Sequence, residues 1–317
     1  MARWTLSAWD RVIAGSGKAD RYQMMQRRKF LQSMVVGGAS ALGGSLILPG
    51  AAQARYRADA RPNIAPRIKP QFAQYRSMDE MLKRVRDFNS AHPGDIYVER
   101  WRIGLLRRAH HRFDQMERVV GHANFHLLSF DEALKVANRY SKVGQFTAEE
   151  MDFLEEIFYR SADEYGFMGD KPVRNLTEAV PRREVAKVPY TGNYLYRGDA
   201  MRVYDKIRKE VGRKVVLTSG VRSVVKQFHL FLAKAVESDG NLSLASRSLA
   251  PPGYSFHGVG DFDVGQRGLG KLNFTVHFTQ SEVFQGLAER GYLKLRYTRD
   301  NQLGVRFEPW HIKVVSA

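Results

Sequence analysis

From Ser77 to about Gly166 the apolar residues recur at helical spacing. Met78, Met81, Leu82 and Val85 form one stripe and Met151, Phe153, Leu154, Ile157 and Phe158 another, each able to bury one helix face. Ser129-Phe130-Asp131-Glu132 and Thr147-Ala148-Glu149-Glu150 each set a side-chain acceptor three residues before a Glu, so both predict helix starts closed by a capping box. After a loop containing Pro172, Pro181 and Pro189 the pattern changes. It predicts a helix from Asp199 to about Glu210, a strand over Lys214 to Thr218, a helix over Val224 to Glu237 and a capped helix near Thr279 to Glu282. A final strand is expected to carry Glu308-Pro309-Trp310-His311 between Val305-Arg306-Phe307 and Ile312-Lys313-Val314-Val315. The pattern therefore predicts a mainly helical segment over residues 77–185, then an α+β domain over 186–317 with a small antiparallel sheet and flanking helices.

The first 76 residues read differently. Arg27 and Arg28 precede an uncharged run from Ser33 that closes on Ala52-Gln53-Ala54, which resembles a twin-arginine export signal with a small-residue cleavage site. Gly37, Gly38, Gly43, Gly44 and Pro49 make that run a poor membrane-spanning helix. Residues 1–54 are thus expected to be an export signal with an N-terminal extension, cut near Ala54, with translation starting at Met24 or Met25 as an alternative. The expected destination is the bacterial periplasm. Residues 55–76, with Pro62, Pro66 and Pro70, are expected to be a basic linker or arm.

Composition narrows the chemistry. The 317 residues are 44% hydrophobic and include 50 Lys and Arg against 33 Asp and Glu, a net charge of +17; without residues 1–54 the remaining 43 basic and 31 acidic residues still give +12. Such a surface favours an anionic polymer and allows a peripheral membrane contact. No zinc-finger spacing or aromatic-rich single-strand motif is present, so nucleic acid is not the expected partner. With no cysteine, any bound zinc must use His, Asp or Glu. His110, His111, His122 and His126 lie among Arg107, Arg108 and Arg112 and are expected to form a solvated basic face. His229 and His277 are expected to be structural.

Three pieces within the last hundred residues carry candidate chemistry: Ser219-Gly220-Val221-Arg222-Ser223, between a strand and a helix; Ser255-Phe256-His257-Gly258-Val259-Gly260-Asp261-Phe262-Asp263; and Glu308-Pro309-Trp310-His311. A catalytic zinc takes three protein ligands and keeps one position open, and His257, one of the two aspartates and His311 supply such a set. Zinc held there would activate a water. Glu308 is placed to accept its proton, and Arg222 to hold an oxyanion or a substrate carboxylate. Any one of these residues alone reads as structural; their joint presence in this order does not.

In these motifs the chain resembles the zinc D-alanyl-D-alanine carboxypeptidase family, VanY-like members of peptidase family M15, over about residues 186–317. The resemblance implies a zinc peptidase domain with His257, an Asp and His311 as metal ligands, Glu308 as general base and Arg222 as transition-state stabiliser. It also puts Ser219, Gln227 and Ser255 on the substrate side. One departure stands out. The family places its ligand Asp seven positions after the His with a small residue two before it, whereas here position seven is Val264 and the aspartates fall at four and six. Asp263 is preferred because it shortens the turn by one residue rather than three, but period-two alternation puts Asp261 on the same strand face and leaves it open.

The expected function is zinc-dependent hydrolysis of peptide bonds in peptidoglycan stem peptides or their precursors, with D-alanyl-D-alanine carboxypeptidase activity first. Endopeptidase cleavage and a catalytically weak wall-binding protein are the alternatives. Nothing in the motifs sets the oligomeric state.

Overall fold

Capping residues become helix starts at the positions that carry them. The computed structural model describes residues 77–314; the export signal, the arm and the end of the predicted last strand lie outside them. Helix α1 (Met78–Arg86) starts at Ser77, whose hydroxyl accepts from the Glu80 amide. Helix α2 (Ile103–Val120) buries Leu106, Ala109, Phe113 and Met116 and stops at Gly121; a short turn of helix, α3 (His122–Phe125), follows. Both predicted capping boxes form, at the heads of α4 (Phe130–Arg139) and α5 (Ala148–Tyr159). Glu150, the reciprocal residue of the second box, also accepts from Arg112 Nε at 2.8 Å and Arg108 Nε at 3.1 Å. Arg112 is thereby largely covered against this carboxylate, while Arg108 reaches it from the surface.

Helices α6 (Asp199–Glu210) and α7 (Val224–Glu237) lie where the periodicity puts them, and α8 (Leu242–Ser248) follows α7, capped by Asn241. Helix α9 (Glu282–Glu289) is capped by Ser281, whose hydroxyl accepts from the Phe284 amide at 3.1 Å. Thr279, in the predicted cap region, instead donates back to the Val276 carbonyl.

Strands β1 (Val185–Lys187) and β2 (Tyr194–Tyr196) form a small antiparallel hairpin. The second sheet is antiparallel in the order β3 (Val215–Ser219), β4 (Phe262–Gln266), β5 (His311–Ile312). The last strand is only two residues long. Glu308, Pro309 and Trp310 form the turn ahead of it, closed by the His311 amide on the Glu308 carbonyl at 3.2 Å, because Pro309 has no N–H to give to a ladder.

Two cores result. One joins α2, α4, α5, α7 and α8 through residues such as Phe113, Phe130, Phe158, Phe228 and Phe231. The other lies between the second sheet and α6 and α9, built from Tyr204, Ile207, Leu217, Phe262, Val264, Leu287 and Trp310. Because α7 buries its apolar face against α2, residues before and after position 185 share the first core, and all described residues fall in a single compact unit. Asp95 and Arg247 stitch the two ends of this core by a bidentate ion pair at 2.8 and 2.9 Å, both side chains fully buried. Among the described residues no helix is long and apolar enough to cross a membrane.

Candidate active site

The Ser219 to Ser223 turn leaves β3 in the sheet core and enters α7 in the helical core, and each residue has a local reason. Ser219 ends the strand and its Oγ accepts from Arg222 Nε at 2.9 Å. A Cβ on Gly220 would stand 2.0 Å from the Tyr194 carbonyl oxygen, so only glycine lets β2 pass this closely. Val221 packs with Leu127, Val180 and Val185. Ser223 caps α7 by accepting from the Lys226 amide.

Register brings the second and third motifs to this turn. Leu217 pairs with Val264, then an irregularity of one residue puts Ser219 opposite Asp263, whose other neighbour is His311. Phe262 and Val264 point into the sheet core, leaving Asp263 on the opposite face. His257 sits on a single turn of 3-10 helix, Phe256–Gly258. Gly260, at φ +135°, lets the chain double back into β4.

His257, Asp263 and His311 thereby offer three ligand atoms lying within 4.8 Å of one another, all buried. Their outer atoms are each held by something else. His257 Nδ1 lies 2.8 Å from the Gly220 carbonyl and His311 Nε2 lies 3.0 Å from Asp261 Oδ2. Both partners only accept, so these ring nitrogens keep the hydrogens, and in the neutral imidazoles His257 Nε2 and His311 Nδ1 hold the lone pairs. Asp263 Oδ2 accepts from Arg222 at 2.7 Å, which leaves Oδ1 facing inward, 3.2 Å from His257 Nε2 and 3.3 Å from His311 Nδ1. At that spacing His257 Nε2 and Asp263 Oδ1 still lack a properly aligned hydrogen bond. Buried acceptors without donors are costly. Two of them meet here beside His311 Nδ1, and this convergence of two imidazoles and a carboxylate fits a zinc ion with a fourth position open.

The electrostatics agree. Burial pushes His257 down to about 4, helped by the nearby Arg222 charge. Burial alone would also lower His311, but its hydrogen bond to Asp261 and the Asp263 carboxylate beside it raise it to about 9, so in the absence of a metal this point draws a positive charge. Asp263 is buried as well, yet His257 and Arg222 hold its carboxyl far below the usual range.

Glu308 closes the site. Its Oε2 is 3.6 Å from His311 Nδ1, and burial pushes its carboxyl up to about 7 against the lowering effect of His311. A carboxylate beside the three inward atoms can take a proton from a water there and release it again near neutral pH.

The remaining sequence candidates are placed as follows. Arg222 borders a cleft of about 400 Å³ that is also lined by Glu178, Tyr196, Gly258 and Gly260; one of its nitrogens is committed to Asp263 and another to Ser219. Gln227 also borders the cleft, but its amide spans the Arg222 carbonyl and the Gly253 amide at 3.0 and 2.8 Å. It braces two loops rather than offering a free polar end to substrate. Ser255 is buried and heads the His257 turn. The cleft does not reach His257, Asp263, His311 or Glu308, which the donor geometry alone identifies.

Two groups had no counterpart in the sequence reading. Arg296 and Tyr297 reach the site from a loop, Arg296 donating to Asp261 at 2.5 Å and the Tyr297 ring lying edge-on to His311 at 5.1 Å; neither sits in a motif, so no local signal marks them. His126 does not lie on the solvated face expected for it. It is buried, with Nδ1 3.2 Å from the Val221 carbonyl, and beside it Glu117 meets His122, Lys226 and His229 at 2.6, 3.1 and 3.1 Å. This cluster underlies the Ser219 to Ser223 turn. His126 alone leaves the expected solvated face, whereas His111, His122, Arg107 and Arg108 are exposed as expected.

Residues 199–317 match the family model VanY, D-alanyl-D-alanine carboxypeptidase. No curated protein matches the chain. Solved structures similar to it include the LdcB LD-carboxypeptidase, at 20% identity over 39% of this chain and 60% of that one, TM-score 0.34. VanYB in complex with D-alanine-D-alanine is 26% identical over 42% of this chain and 77% of that one, TM-score 0.35. A mutant of the vancomycin resistance D,D-pentapeptidase VanY in complex with Zn(II) is 23% identical over 43% and 83%, TM-score 0.34.

Proposed function

We propose that this protein, whose residues 199–317 match the VanY D-alanyl-D-alanine carboxypeptidase family model, is a zinc peptidase of peptidoglycan stem peptides that removes a terminal D-alanine. The observation that carries this reading is the convergence of His257 Nε2, Asp263 Oδ1 and His311 Nδ1, each with its outer atom held elsewhere, next to Glu308. Zinc bound by these three residues would supply a Lewis acid and an acidified water.

The chain's own residues do the rest. Glu308 accepts the proton of the water that attacks the peptide carbonyl and delivers it to the departing amine as the C–N bond breaks. Arg222, at the border of the cleft, offers its guanidinium to the oxyanion or to the substrate's terminal carboxylate while holding Asp263. Ser219 fixes Arg222 through Nε. The excess of basic residues suits an anionic wall polymer, and the Arg27-Arg28 signal supports action in the periplasm, which cell fractionation tests.

Mass spectrometry of defined pentapeptide, tetrapeptide and cross-linked fragments, after incubation with the zinc-loaded full chain and with a Glu308→Ala control, tests the reaction. Loss of one alanine mass that needs Glu308 is the expected result. Cleavage of a cross-link instead would make the protein an endopeptidase. Bound zinc with no product from any fragment would overturn the peptidase reading in favour of wall binding.

A further inference from the structure

Among the described residues, Asp261 is the one buried carboxylate beside the site that does not face the three inward atoms. It stands just ahead of β4, two residues before Asp263, and its oxygens are fully engaged by donors. Oδ2 accepts from His311 Nε2 at 3.0 Å and from Arg296 Nε at 2.5 Å, and Oδ1 accepts from the Val314 amide at 2.9 Å.

We propose that Asp261 is a positioning residue for the metal: clamped by Arg296, it fixes the tautomer and angle of His311 so that Nδ1 presents its lone pair to the zinc. This rests on the zinc reading of the site and adds a residue to it. Three features make Asp261 more than a generic acceptor. Its contact with the Val314 amide anchors the backbone three residues beyond His311, so the ring and its strand are held from the same carboxylate. The Arg296 guanidinium also lies 3.4 Å from the Phe256 ring centre, so one ion pair joins the residue before His257 to the partner of His311. The arrangement further requires an ionised carboxylate rather than its isostere. An asparagine whose oxygen faced His311 and Arg296 would put its NH2 against the Val314 N–H. Turned the other way, the NH2 would face His311 Nε2 and drive the ring hydrogen onto Nδ1, removing the metal's lone pair.

The test is zinc affinity of the full chain, by competition with a chromophoric chelator, for wild type, Asp261→Asn, Arg296→Lys and Asp263→Ala, with apo-protein melting temperatures and the visible spectra of the Co(II)-loaded forms. Loss of an outer partner of a metal-binding histidine costs about 10- to 100-fold in affinity. Asp261→Asn is expected to fall in that range, with a shifted Co(II) spectrum of unchanged tetrahedral intensity. Arg296→Lys, which leaves Asp261 in place should the first variant fold poorly, is expected to lose less, and Asp263→Ala far more. Zinc affinity of both Asp261→Asn and Arg296→Lys within twofold of wild type would overturn the proposal. So would loss in Asp261→Asn as complete as in Asp263→Ala, since Asp261 would then be a ligand itself. A wild-type chain that takes up no zinc would overturn this and the zinc reading together. Zinc bound as described but no peptide cleaved would overturn the peptidase reading alone.

Discussion

Glu308 is held where burial and a neighbouring imidazole pull its carboxyl in opposite directions, and burial wins, raising it to about 7. Glu308→Gln keeps the shape and removes the proton acceptor. Turnover is expected to drop about 10²- to 10⁴-fold, the usual worth of a general base, while zinc content stays at the wild-type level; unchanged turnover would remove Glu308 from the chemistry. His126 gives a second prediction at this scale. Burial, then the charge of Lys226, lowers it to about 3, below the roughly 6.5 of an unfolded histidine. Between those values the unfolded chain binds a proton that the folded chain does not. The contribution is therefore complete above about pH 6.5 and shrinks as pH falls toward 3. Stability should drop by about 2 kcal/mol from pH 7 to pH 5 on this account. His126→Gln should flatten that part of the profile in urea titrations, and parallel profiles for the two proteins would show that His126 does not cause it.

Within elements, the tightest constraint is the turn between β3 and α7. Gly220 admits the Tyr194 carbonyl where a methyl group would overlap it at 2.0 Å, and its own carbonyl orients His257. The obstacle is backbone and cannot swing aside. Gly220→Ala is expected to cost about 1–3 kcal/mol in urea unfolding, as overpacking does, and to weaken zinc binding because the His257 acceptor moves with the turn. A variant with full zinc affinity would show that the turn can shift without disturbing His257. Helix α7 shows why the caps and stripes were readable: Ser223, Val224, Val225, Phe228 and Phe231 are contiguous in sequence and act within a few turns of one another. Strand β5 shows the opposite. Two residues have no period to read, and they become a strand only because β4 offers partners to His311 and Ile312.

At the scale of the whole molecule, Asp95 and Arg247 close the helical core from positions 152 residues apart. Arg84 adds a third charge, 3.7 Å from Asp95. Asp95→Ala leaves Arg247 buried without its counter-ion and is expected to cost about 3–5 kcal/mol. Replacing both members, Asp95→Leu with Arg247→Met, should cost much less than the sum of the single changes. Additive losses in a double-mutant cycle would show that the pair is not the coupled unit its geometry suggests.

The sequence by itself determined the α+β order of elements, the helix caps and which short motifs hold the histidines, carboxylates and arginine, because those signals depend on near neighbours and on the periods of helix and strand. The preference for Asp263 over Asp261 rested on the spacing of the family that the motifs resemble. Only tertiary structure decided that Asp263 faces the two histidines while Asp261 backs His311, since alternation puts both on one face and their partners Arg222, His311 and Arg296 lie 35 to 50 positions away. It also took His126 from the expected open face to a buried place under the motif turn, while His111, His122 and Arg108 stayed exposed, and it gave Gln227, at the border of the cleft, two loops to brace. In each case the physical reason is the same: a polar side chain's role is set by the donor or acceptor that burial leaves beside it, and the fold alone chooses that partner.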